Sequence, residues 1–283
     1  MSSGSKGYGR RRDGRMLHSL SPFVRLSPYI RPDADSAAVY YDDSFDVTGI
    51  RERVEALRGQ GYADISVTHF IIAAYIRTIS MLPALNRFVV GRHIFAADDI
   101  RILTSVPRSS GENATEATVK LSFMPTDTVF DVYRKLADVT EEVRTSEKGT
   151  ELEQLADTLS RLPRFILRLV LFVLRVMDFW GILSGSFLEL SPFHGSMLLS
   201  DMSRLHIRPG YHSLYKLGTL PLRVALAPVR AEGERSMLDI RLSLDGRIND
   251  PAGHARCLQA MHYLMKYPEI LEQQPTKVVE DVY

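Results

Sequence analysis

A chain of 283 residues with 45% hydrophobic and 24% charged residues has the material for a full core and too much of it to stay disordered. Its 35 Lys and Arg balance 34 Asp and Glu, which excludes the basic excess of a nucleic-acid binder. The single cysteine, Cys257, excludes an internal disulfide, and no continuous apolar run opens the chain, so a cytoplasmic protein is expected.

The opening MSSGSKGYGRRRDGR combines Ser, Gly and basic residues with almost nothing apolar. Residues 1–13 are therefore expected to form a disordered basic tail, followed by one domain over 14–272 and a C-terminal tail over 273–283. MLHSLSPFVRLSPYI carries two Ser-Pro breaks, and AAVYYDDSFDV reads as a strand. VTGIRERVEALRGQG has helical spacing, with Asp46 or Thr48 able to cap it. SVTHFIIAAYIRTISMLP is apolar around most of its axis, the mark of a central buried helix between a Ser66 cap and Pro83. His69 on it reads as a hydrogen-bonded core histidine, since nothing nearby supplies metal partners.

RFVV, HIFA and IRILTSV are strand-like around the turn Val90-Gly91-Arg92, with antiparallel pairing expected, and TVKLSFMP adds a strand. Asp127 opens the amphipathic helix TVFDVYRKLADVTEEVRTSEKG. LPRFILRLVLFVLRVMDFWGIL is the most hydrophobic segment, but a buried arginine near a bilayer centre costs roughly 2.5–3.5 kcal/mol. Arg164, Arg168 and Arg175 recur on one helical face and exclude a membrane span. The segment predicts a helix packed on protein, including a partner subunit, or a membrane-surface helix. GSMLLSD, PLRVALAPV and SMLDIRLSL then supply strands, and PAGHARCLQAMHYLMKY a closing helix with Pro251 in its first turn. The pattern predicts an α/β (α+β two-layer) fold, a mixed sheet covered by helices.

No dinucleotide fingerprint, phosphate loop or Gly-x-Ser-x-Gly elbow occurs, and the eight histidines lack zinc spacing, so no metal is expected. Cys257 sits among Ala255, Leu258 and Met261 as a small buried thiol. The informative run is SLDGRINDPAGHARCLQAMHYLMKYPEIL, from Ser243. It resembles the C-terminal signature of the catalytic domains of 2-oxoacid dehydrogenase acyltransferases, shared in outline by chloramphenicol acetyltransferase, which reads Asp-His-Arg-x-x-Asp-Gly before a helix. Asp245, Arg247 and Asp250 match; Gly246 stands at the histidine and Pro251 at the glycine. The early helices, the Pro-x-Leu-Asn turn, GSMLLSDMSRLHI and HSLYKLGTLPLRVALAPV resemble the same family in the same order, over about residues 12 to 272.

The resemblance implies a chloramphenicol acetyltransferase-like fold, a homotrimer with sites between subunits, and a small-molecule thioester, coenzyme A or acyl-CoA, as substrate. In the family a histidine deprotonates a thiol and a hydroxyl holds the oxyanion. A thiol with pKa near 8.5 is only a few per cent ionised at neutral pH, so a base contributes roughly 10²–10⁴ in rate. Gly246 has no side chain for this. The oxyanion hydroxyl falls on Ser200, whose alternative is a strand-end hydroxyl bonded to backbone. His212 and His194 flank that segment and are candidate replacement bases, and His254 is expected to be exposed. Asp245 and Arg247 are implied to be a structural ion pair, and Asp250 also reads as the N-cap of the last helix. Two functions follow: acyl transfer with an altered site, or a non-catalytic trimeric scaffold or ligand binder.

Overall fold

The computed structural model describes residues 11–109, 115–146 and 149–282. Residues 1–10 of the expected tail lie outside them. In chain order β1 (Gly14–Met16) and α1 (Pro22–Ile30) precede β2 (Ala38–Asp46), α2 (Thr48–Arg58) and α3 (Val67–Met81). β3 (Arg87–Val90), β4 (His93–Ala97), β5 (Ile100–Pro107) and β6 (Glu116–Phe123) lead to α4 (Val129–Thr145). Three helices follow, α5 (Glu151–Ser160), α6 (Arg164–Phe179) and α7 (Gly185–Leu190). β7 (Met197–Asp201), β8 (Leu222–Leu226), β9 (Arg230–Glu232), β10 (Arg235–Asp245) and α8 (Pro251–Lys266) complete the chain.

The main sheet runs β2-β10-β8-β7-β5-β6, with β9 beside β10, and it is mixed: β7 pairs parallel to both β5 and β8, the rest antiparallel. The antiparallel pairing expected for residues 86–107 is real for β3 and β4, but they join β1 in a separate three-stranded sheet. The connecting turn has Gly91 at φ 57° and Arg92 at φ 65°, the doubly left-handed turn whose twist matches a hairpin.

Alternation of side chains along the strands sorts the main sheet into two faces. Phe45, Ile240, Leu242, Leu244, Val224, Met197 and Ile102 meet α2, α3, α4 and α8 in one core. α3 is buried nearly all round, as its composition requires. The other face bears Tyr40, Asp42, Arg241, Arg223, Ser200 and Lys120. The loop 206–221 crosses it, with Tyr211 against Tyr40 and Arg241 and Tyr215 against Arg223.

Four expectations change. Arg11 and Asp13 are buried, so the ordered fold begins before residue 14. Of the expected C-terminal tail, residues 273–282 are held to the domain: Val279 N donates to Ser80 O (2.8 Å) and Arg87 Nε to Asp281 Oδ2 (2.6 Å). His254, expected to be exposed, is buried, because the first turn of α8 faces the core beneath β10. α6 turns Ile166, Leu167, Val170, Leu174 and Met177, each half-buried, and the buried Asp178 toward the chain, and its other apolar residues are exposed.

Candidate functional site

The family's base position lies where β10 ends and α8 begins. Asp245 and Arg247 form a bidentate pair, Arg247 Nε donating to Asp245 Oδ1 (2.8 Å) and Nη2 to Oδ2 (2.6 Å). Both are buried, and Arg247 Nη1 also donates to Pro32 O (2.8 Å). The pair thus ties the strand end to the segment between α1 and β2. Gly246 lies inside this tie, its N–H donating to Ala37 O (3.0 Å). A Cβ there would sit 2.8 Å from Val39 Cγ2, 2.9 Å from Ala37 O and 3.3 Å from Arg31 Nη1. The chain itself fills the space an imidazole would need. Asp250 caps α8, accepting from Gly253 N (2.6 Å).

Ser200 is on β7 beside Ala225 of β8, which neighbours Arg241 of β10. Its hydroxyl makes no hydrogen bond to a described residue. Ser200 and Gly246 are two strands apart and five residues displaced along the strands, roughly 19 Å by strand geometry, so one chain does not bring them together.

His212 lies in the loop over the same face, next to Arg223. Burial, then the Arg223 charge, lowers its pKa, so the ring is neutral near pH 7. His212 Nε2 and Arg223 Nε are both buried without a partner. Arg223 otherwise donates to Ser213 O (2.8 Å) and stacks over Tyr215 at 4.8 Å. Unpartnered buried polar atoms carry a free-energy cost, and here an imidazole nitrogen and a guanidinium N–H lie on the sheet face that bears the Ser200 hydroxyl. Arg223 gives a weak signal in the sequence, an arginine at an outward position of an otherwise apolar strand.

Two further histidines, His194 and His69, hydrogen-bond within the fold. His194, a candidate base, is buried, with Nδ1 hydrogen-bonded to Ser191 Oγ (2.7 Å) and Nε2 3.4 Å from Asp178 Oδ2. Arg11 holds the same aspartate at 2.8 Å. This network fastens the end of α6 to the N-terminal segment, where no reactant can reach. His69 Nδ1 accepts from Ser66 N (3.1 Å) in the capping box of α3, and burial pushes its pKa down to about 4. His254 and Cys257 border an apolar cavity of about 60 Å³ under β10, and burial raises the thiol to about 11, so Cys257 is no nucleophile at neutral pH.

A second feature escaped the sequence. The carboxyl ends of the parallel pair β5 and β7 open into a cleft of about 670 Å³ between α3 and α4, on the sheet face opposite the one that bears Ser200. Its wall holds Asp201, which accepts from Thr68 Oγ1 (2.7 Å), and His69. Two arginines, Arg58 and Arg144, face five carboxylates, Asp64, Glu116, Asp138, Glu141 and Asp201. That balance repels a polyphosphate. Lys120, on the outward face at β6, donates to Leu188 O (2.7 Å) and Ser191 O (2.9 Å), and burial, then Arg101, lowers its pKa to about 7. Among the described residues no group of metal-ligating side chains occurs.

No family model matches the chain, and no curated protein matches it. Solved structures do. A chloramphenicol acetyltransferase is 12% identical with TM-score 0.58, covering 89% of this chain and 99% of its own. The dihydrolipoamide acetyltransferase of Azotobacter vinelandii is 13% identical with TM-score 0.56, covering 93% and 95%. A truncated catalytic core of the 2-oxoacid dehydrogenase multienzyme complex from Thermoplasma acidophilum is 11% identical with TM-score 0.55, covering 89% and 98%. The chain therefore has the chloramphenicol acetyltransferase-like fold of these catalytic cores, as the motif order implied.

Proposed function

We propose that this chain is a thioester-dependent acyltransferase working as a homotrimer, with Ser200 holding the oxyanion and His212 in place of the missing base. The observation that carries this reading is the free Ser200 hydroxyl on the same open sheet face as the unpartnered His212 Nε2. The acceptor's X–H would lose its proton to neutral His212 as X attacks the thioester carbonyl. Ser200 Oγ–H would donate to the oxyanion, the C–S bond would break, and the proton would return to the leaving thiolate. Acyl-CoA enters as substrate only if its phosphates avoid the carboxylate-rich cleft, which suits the acceptor or the uncharged arm of the donor.

A second reading, ligand binding without transfer, is favoured by the closed Gly246 position. Transfer from acetyl-CoA to a dithiol, with calorimetric titration of coenzyme A, separates the two. Under the first, Ser200→Ala lowers turnover by about 10²–10³. His212→Ala lowers it by about 10²–10⁴. Binding without turnover in the parent supports the second reading. Neither binding nor turnover would sink both.

A further inference from the structure

α6 divides into three sectors about a third of a turn apart. One packs on the chain; one carries Arg164, Arg168 and Arg175; the third presents Phe165, Leu169, Phe172, Val173, Val176 and Trp180 to solvent. Phe165 is 74% exposed, Phe172 63% and Trp180 71%, where a packed helix would hide them. α1 repeats the pattern, with Phe23 88% and Ile30 75% exposed beside Arg25. The two stripes converge on the β3–β4 turn: a Cβ at Gly91 would lie 3.2 Å from Phe179 O, and the Arg92 guanidinium is 5.8 Å from the Tyr29 ring centre. An apolar patch on two helices is far more than scattered surface leucines.

Charge decides what covers it. Among the described residues no carboxylate pairs with Arg164, Arg168 or Arg175, and the one acid of α6, Asp178, is buried on Arg11. Among the described residues no helix is long and apolar enough to cross a membrane. A helix with Phe, Leu and Trp on one sector and unpaired arginines along its edge, and no free acid, is built to lie in the headgroup layer of an anionic bilayer. We infer that α6, continued by α1, docks the protein on anionic membrane surfaces. Phe172 and Trp180 enter the acyl boundary and the three arginines meet the headgroups.

The test is co-sedimentation of the full chain with phosphatidylcholine vesicles containing phosphatidylserine, against phosphatidylcholine alone, at low and high salt. Binding is expected to the anionic vesicles only and to weaken with salt. Replacing Arg164, Arg168 and Arg175 by glutamine is expected to weaken it by on the order of 10². Phe172→Glu is expected to abolish it with the melting temperature unchanged, since the side chain is exposed. Light scattering on the same proteins decides between occupants. An unchanged mass for Phe172→Glu agrees with a lipid-facing helix. A fall in mass, or a parent that ignores anionic vesicles, overturns the inference and makes the stripe a contact between copies.

Discussion

At the residue scale, Gly246 is the position where sequence and structure say most together. It leaves no side chain where the resemblance places a base, and Ala37 O and Val39 stand where a Cβ would go. Gly246→Ala is expected to destabilise the protein by about 1–3 kcal/mol, the range for overpacking, and Gly246→His to do worse without gaining activity. Denaturant melts check this, and a histidine variant both stable and more active would refute it. Asp245→Ala strands Arg247 among the carbonyls of the 31–37 segment, and breaking such a buried pair costs about 3–5 kcal/mol, readable in the same melts. Lys120 gives a pH signature. Burial holds its folded pKa at about 7, below the ordinary lysine value of 10.5, so between those values the unfolded chain holds a proton that the folded chain does not. Stability should rise with pH across that window, by up to about 1.4 kcal/mol per unit for one proton. In Lys120→Met that slope should vanish; an unchanged pH profile in the variant would assign the slope to another group.

Among the elements, most of the helices and strands were legible because each had its own period and its own stops. α3 reads as buried from apolar residues on every side, α8 from Asp250, Pro251 and its spacing, and the β3–β4 turn from Gly91. What failed was tertiary. Ser21-Pro22 reads as a break yet starts α1, because proline without an N–H is suited to a first helical turn. His254 looked exposed because nothing local says which side of α8 meets β10. Arg11 read as tail because its partner, Asp178, is 167 residues away. Of the site, Ser200 and Gly246 came from motif order, while Arg223 and the acidic cleft exist only once strands are laid side by side. The Arg11 network also predicts a local effect. Arg11→Ala leaves Asp13 and Asp178 buried without their cation, and a loss of about 3–5 kcal/mol is expected. Hydrogen exchange should quicken first over the last turn of α6 and β1, and uniform quickening across the sheet would argue against a local clamp.

For the whole molecule, the main sheet has long helices on one face only, and its other face carries tyrosines, arginines and the free Ser200 under a single loop. A seven-stranded sheet half covered within one chain leaves a face that the trimer implied by the resemblance would cover. Light scattering should give a trimer. If the site lies between copies, Ser200 of one subunit works with His212 of its neighbour. Chains carrying Ser200→Ala and chains carrying His212→Ala should then each be inactive alone, yet regain activity when unfolded together and refolded as a mixture. In a closed ring with random assembly in equal parts, a site is intact only when an intact serine and an intact histidine face each other. That holds for about one site in four, so about a quarter of parental activity is expected. Recovery near that value places the site between subunits. If the mixture forms trimers and stays inactive while the parent is active, serine and histidine act within one chain, and the trimer serves stability alone.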